Sequence, residues 1–288
     1  MNDCTLTPSG VLPLPPHRGI GPHTMTEPSA ASTAHLAALG PFCAFETHPA
    51  GSELSPPWRS LSEAAQEGSG VLRERVASVR AALAANSGRP PEAVAPRVAA
   101  SVAQLGLVAR VISPVLGLAT LHGLPSRPLT LGDLWWGSAL GGAFRLSLPR
   151  EAVTPVAGGD TRTAGAIAAD MLDGPVRALV DAFAPFSVSR RILWGNVASA
   201  VNGAATGITA AAPGLEQPAR AAALAFLRQP QLRDTHTLDT HNGRFTRRSC
   251  CLIYQAAPNA AGAVCGDCVL VRGRSGRGQD GRGGRGRR

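Results

Sequence analysis

Four of the six cysteines in this chain fall in one short stretch near its end, RRSCCLIYQAAPNAAGAVCGDCVL. Cys250 and Cys251 are adjacent, and Cys265 and Cys268 close a C-x-x-C, so the spacing is C-C-x13-C-x2-C. Any fold for the chain has to close its C-terminal end around these thiols. A Cys thiolate is a soft anionic ligand, and four of them suit either Zn(II) or an iron–sulfur cluster. The C-x-x-C lets a tight turn aim two thiolates at one centre, and Gly266 is expected to relax the backbone for that turn. Structural zinc sites usually use two such knuckles, and an adjacent Cys-Cys cannot fold as one. The pair tilts the reading from zinc toward iron–sulfur, with zinc still open. The bland alternative is four incidental thiols or an oxidised pair, and the crowding of the four argues against it.

The rest of the composition says less about chemistry. The chain has 288 residues and is 44% hydrophobic but only 4% aromatic, so a core is affordable and must be built from Ala, Val and Leu. The formal charge is +9, and every basic residue is Arg. An Arg-only, Ala-rich composition is most simply the mark of a GC-rich genome. Residues 272–288 hold seven Arg and one Asp, a net +6, which leaves about +3 for everything else. A nucleic-acid reading would rest on that tail alone, and no nucleic-acid partner is expected. The N-terminus lacks a basic start followed by an apolar run, and Met25 is a second candidate start. The longest uncharged run, Ile192 to Leu215, is broken by Asn196, Asn202 and Pro213, so no membrane span is expected. The expected location is the cytoplasm, where clustered cysteines serve as metal ligands or redox groups rather than disulfides.

Along the chain, residues 1–55 are rich in Pro, Ser, Thr and Gly and read as disordered, with Cys4 and Cys43 incidental. Leu72, Val76, Val79 and Leu83 recur at helical spacing, with a stop at Asn86-Ser87-Gly88. A second helix is expected from Glu92 to Val111, interrupted or kinked at Ser113-Pro114, with another from Val115 onward. LTLGDLWW and GGAFRLSLP suggest a hairpin or two short strands, with Trp135 and Trp136 as their packing. Helices follow at Thr163–Phe183, Val188–Thr209 and Gln217–Leu227, then a polar connector, RDTHTLDTHNGRFTRR. The fold class expected is mainly α: one helical domain over residues 56–271, a small β element, a cysteine-ligated loop and a disordered Arg/Gly tail. His122, His236 and His241 share no metal spacing and are given structural or surface roles.

The stretches RRSCCLIY and CGDCVL resemble the C-terminal signature of the FhuF-like ferric-siderophore reductases, which carry a [2Fe–2S] cluster on a C-C-x10-C-x2-C motif. RRILWGNVASA is similar to that family's Leu-Trp-Gly-Asn segment, and ISPVLGLATLHG resembles its helical middle. The resemblance spans about residues 60–271, with the cluster segment at about 247–270. It departs from the family in the thirteen residues between the cysteine pairs, against about ten. It implies that Cys250, Cys251, Cys265 and Cys268 ligate the cluster, and that the protein reduces siderophore-bound Fe(III) by one electron. Arg247 and Arg248 would tune the potential or attract an anionic siderophore or an acidic donor, unless they are simply solvated. Trp194 and Asn196 come with the Leu-Trp-Gly-Asn match, the first more simply core and the second a local hydrogen-bonding group. With no G-x-G-x-x-G between a strand and a helix, electrons would come from a separate ferredoxin or flavoprotein. Two rival readings stand beside this one: a zinc-stapled protein whose Arg/Gly tail holds RNA, and a siderophore accessory protein without reductase activity. Weak contact of the basic tail with anionic membrane is a further expectation.

Overall fold

The computed structural model describes residues 30–121, 123–137, 143–154, 162–239, 242–257 and 264–270. In chain order the elements are helix α1 (Ala30–Ala38), strands β1 (Glu46–His48) and β2 (Trp58–Ser60), and helices α2 (Leu61–Ala65), α3 (Val71–Asn86) and α4 (Pro96–Leu121). Strands β3 (Trp135–Gly137) and β4 (Leu146–Pro149) follow. Next come helices α5 (Arg150–Val153), α6 (Ala164–Asp173), α7 (Pro175–Ala182), α8 (Arg190–Ala211) and α9 (Glu216–Leu227). Strands β5 (His236–Leu238) and β6 (Phe245–Arg247) come after them, and a short 3-10 turn at Ile253–Ala256 follows β6. The mainly helical class expected from the periodicity is the one observed.

Helix α4 is the axis of the molecule, with α3, α8 and α9 packed along it and α8 making the most extensive contact. Its sequence is apolar all round, which is the pattern of a helix with no wet face. By length and composition it could cross a membrane, at a mean hydropathy of 1.7, yet 72% of that window is buried inside the protein. Ala99, Ala100 and Ala103 on α4 and Ala198, Ala204 and Ala205 on α8 are all buried. Small side chains bring helix backbones close, which replaces part of the burial energy that larger side chains would supply. Helix α8 opens at Ser189, whose hydroxyl accepts the Ile192 N–H, and α6 opens the same way at Thr163.

The expected pair of strands is present, and it belongs to a larger sheet. Strands β3 and β4 run antiparallel and are flanked by β2 and β1, giving the order β1-β4-β3-β2 with β1 parallel to β4. Trp136 is fully buried beneath the sheet and meets Phe144 edge-on at 5.4 Å, so its packing role is as expected.

Four expectations are corrected. Residues 30–55 are not a disordered segment: α1 and β1 lie there, and Leu36, Leu39 and Cys43 are buried. They are held by a partner far away in sequence. The buried Arg110 of α4 donates to the carbonyls of Phe42, at 2.8 Å, Ala44 and Phe144, at 2.7 Å. Pro114 does not end α4, because it is buried with Ser113, Val115 and Leu116, and packing there outweighs a loss of ~3 kcal/mol. The expected helix Thr163–Phe183 is two helices, since Pro175 brings no N–H to the ladder and instead starts α7. The polar connector contains the β5–β6 hairpin, with His236 opposite Arg247 and Leu238 opposite Phe245. The expectations for Cys4, Met25, His122, His241 and the Arg/Gly tail fall outside the described residues.

Replacing Arg110 by Ala leaves three buried or half-buried carbonyls without their donor, at ~1–3 kcal/mol each. The expected outcome is a loss of about 3 kcal/mol or more in urea unfolding, with the 40–45 segment becoming the first site of limited proteolysis.

Candidate metal centre

Strand β6 delivers its last residue, Arg247, directly to the cysteine segment. The Arg247 backbone N–H donates to the Asp267 carbonyl at 3.0 Å, and this ties the C-x-x-C turn to the strand. The turn is closed by the Cys268 N–H donating to the Cys265 carbonyl at 3.0 Å. Gly266 has no left-handed φ and open space where a Cβ would be, so the turn does not require glycine, contrary to expectation.

Each cysteine pair is clipped to a different helix. On one side the Ser101 hydroxyl of α4 donates to the Cys251 carbonyl at 2.8 Å. Ala256 packs into a small apolar cluster with Ala84, Val94 and Val98, which seats the chain just after the first pair. On the other side the Asp267 carboxylate accepts from the Ser199 hydroxyl of α8 at 2.5 Å and from the Asn202 amide at 3.3 Å. The result brings the two pairs together: the sulfurs of Cys251 and Cys265 are 3.5 Å apart. Residues 258–263 of the intervening stretch lie outside the described residues.

The donor chemistry fits an anionic cluster. Cys251 and Cys268 are buried, at 1% and 4% exposure, while Cys250 and Cys265 are half-buried and form the accessible edge. Backbone N–H groups point at sulfur twice, from Leu252 to Cys250 at 3.3 Å and from Leu270 to Cys268 at 3.4 Å. The Leu252 backbone takes a left-handed φ of 70° to allow the first. Burial raises the Cys250 thiol, whereas the hydrogen bond shared with Cys265 favours one thiolate on the Cys251–Cys265 pair and opposes a second. Among the described residues no three His, Cys, Asp or Glu side chains converge on one point as a single-ion site would need. Four thiolates are the donor set that a [2Fe–2S] cluster takes, two to each iron.

The two arginines separate cleanly. Arg248 lies at the surface, 3.7 Å from Asp234. Arg247 is 1% exposed, and its charge acts on Cys250, Cys251 and Cys265. Its Nη2 donates to Asn196 Oδ1 at 2.6 Å and to the Ile192 carbonyl at 3.4 Å, while Nε and Nη1 are buried without a partner among the described residues. Buried donors left without an acceptor, on a cation next to the cysteine segment, are compatible with an anionic group bound there.

Asn196 is not a local cap. Its Nδ2 reaches across to α4, to the Ser101 carbonyl at 3.0 Å, the Ser101 hydroxyl at 3.2 Å and Gln104 Oε1 at 2.8 Å. Trp194 is buried, with the Arg177 guanidinium 5.8 Å above its ring, and takes the core role expected of it. His236 is buried, stacked on Phe245 at 5.2 Å, and is structural. Sequence reasoning missed Ser101, Gln104, Gly195, Ser199, Asn202 and Asp267. A signal was there: polar side chains recur at three-residue steps in two otherwise apolar helices, at Ser101 and Gln104 and at Asn196, Ser199 and Asn202.

Gly195 leaves room for this site. A Cβ there would stand 2.3 Å from Ser249 Oγ and 3.2 Å from Arg247 Nη2. The G195A protein is expected to purify with reduced iron and sulfide content and unchanged helical circular dichroism, and adding S249A should recover part of the loss. In cluster-free protein treated with a mild oxidant, peptide mapping is expected to find Cys251 joined to Cys265 rather than to Cys250.

Residues 247–270 match the family described as the FhuF 2Fe-2S C-terminal domain. No curated protein and no solved structure matches the chain. The match begins at the buried arginine and takes in all four cysteines, so the segment clipped to α4 and α8 is the part of the chain that is similar to this [2Fe–2S]-binding domain.

Proposed function

We propose that the protein reduces Fe(III) held by a siderophore to Fe(II), with Cys250, Cys251, Cys265 and Cys268 as the cluster ligands. The observation that carries the reading is the four-thiol segment of FhuF type with one accessible edge. A [2Fe–2S] cluster bound there supplies one electron at a time. Siderophore oxygens are hard ligands that hold Fe(III) far better than Fe(II), so one electron added to the chelate loosens the metal. The chain's own residues do the rest. Cys251 and Cys268 sit on the sheltered side, and Cys250 and Cys265 offer the edge at which a donor or a ferric chelate comes within electron-transfer range. Arg248 and Arg191 lie near that segment, the Arg191 Nη2 donating to the Arg248 carbonyl at 3.3 Å. They add positive charge that favours an anionic chelate or an acidic electron donor. Electrons are supplied by a separate ferredoxin or flavoprotein, and the reaction belongs in the cytoplasm, with any membrane contact confined to the basic tail.

Protein purified without oxygen is expected to be red-brown, to hold about two irons and two sulfides per chain, and to bleach on reduction. The reduced protein, mixed with a ferric hydroxamate or catecholate chelate and a ferrous trap, should form the trap's Fe(II) complex in step with cluster reoxidation. Changing Cys250 or Cys268 to Ser should abolish or alter the visible spectrum. A colourless protein carrying one zinc would overturn the reading. A normal cluster that leaves every ferric chelate untouched would point instead to an accessory role.

A further inference from the structure

Arg247 is among the largest fully buried side chains in the protein, yet it has no carboxylate partner among the described ion pairs. A buried guanidinium without an anion costs several kcal/mol, and leaving its donors unpaired adds to the cost. Two of its nitrogens, Nε and Nη1, have no hydrogen-bond partner among the described residues, and its backbone N–H is bonded at 3.0 Å to the Asp267 carbonyl inside the C-x-x-C turn. At 1% exposure the side chain cannot reach a siderophore or an electron-donor protein, so a substrate-binding role is closed to it. What remains within reach is the cluster.

The third nitrogen is held in place from across the core. Asn196 is fully buried and its amide has a single workable orientation. Its nitrogen faces acceptors on α4, the Ser101 carbonyl and Gln104 Oε1, and its oxygen faces Arg247 Nη2 at 2.6 Å. Gln104 is itself oriented, because its Nε2 donates to the Leu193 carbonyl at 3.4 Å. Gly195 leaves the space through which Arg247 passes over α8. Side-chain Nη2 is thus spent on Asn196 and α8, and the position of the guanidinium charge is fixed by that bond.

We propose that the buried charge of Arg247 raises the reduction potential of a [2Fe–2S] cluster held by the neighbouring cysteines, and that Asn196 is the positioning residue that fixes the guanidinium there. The cluster is anionic and gains one more negative charge on reduction, so a fixed positive charge favours the reduced form. The inference rests on cluster binding and not on the identity of the electron acceptor.

The test is a redox titration of the loaded full-length protein, followed by visible absorption and electron paramagnetic resonance with no siderophore present. R247M should lower the midpoint by at least tenfold in equilibrium constant, which is 59 mV for one electron. R247K, which keeps the charge but loses the planar group that Asn196 holds, should fall between R247M and the native protein. N196A should also lower the midpoint, and the double variant R247M/N196A should be no lower than R247M alone, because Asn196 acts only through Arg247. The R247M shift should persist at high salt, as a buried charge is little screened. An unchanged or higher midpoint in R247M, or additive effects in the double variant, would overturn the proposal. If R247M holds no cluster, R247K and N196A decide it, since both keep the charge in the site, and two native midpoints would refute it. A protein that titrates as expected but reduces no ferric chelate would leave this inference standing and remove the proposed activity.

Discussion

A guanidinium sealed from water has to be answered by hydrogen bonds and by negative charge. At Arg247 the fold supplies hydrogen bonds, from the Nη2 nitrogen to Asn196 and to the Ile192 carbonyl, and places the charge three residues before the first cysteine. Much of the architecture follows from that requirement. The hairpin β5–β6 carries Arg247 over α8, Gly195 gives it passage, and the Ser101–Gln104–Asn196 network ties α4 to α8 at the level of Cys251. The same hydroxyl of Ser101 that meets Asn196 also holds the Cys251 carbonyl. Core polarity and ligand placement are therefore one structure: a change in how the two long helices pack is felt at the first cysteine pair.

Around this network α4 and α8 bury a set of alanines, Ala99, Ala100 and Ala103 on one and Ala198 and Ala200 on the other. Alanine faces on α4 and α8 let polar side chains only a few atoms long span from one helix to the other. A Leu-rich interface would hold the backbones too far apart for Asn196 to reach Ser101. The small-residue composition is thus compatible with a buried polar network in a way a bulkier core is not.

The cysteine pattern was readable from spacing because thiol chemistry is indifferent to the fold around it. The long helices were readable because their apolar positions recur at helical intervals. What escaped depends on partners far away in sequence. Residues 30–55 look unstructured until Arg110 is set against the carbonyls of Phe42 and Ala44. Pro114 reads as a break until its burial is known. Asn196 reads as a cap because nothing in its neighbourhood announces Ser101 or Gln104. The β5–β6 hairpin is a different case. Asn242-Gly243, with Gly243 at a φ of +67°, is a strong hairpin signal, and it was hidden by the polarity of the flanking residues. Gly266 erred the other way, a glycine given a conformational task that its turn does not set.

Because the two cysteine pairs are docked separately, one through Ser101 on α4 and the other through Ser199 and Asn202 on α8, each pair follows the helix that holds it. Between two ends fixed in this way, going from ten to thirteen residues costs only about 0.2 kcal/mol of closure entropy. The number of residues between the pairs is therefore a weak lever on where the four sulfurs stand, and the packing of α4 on α8 is a strong one.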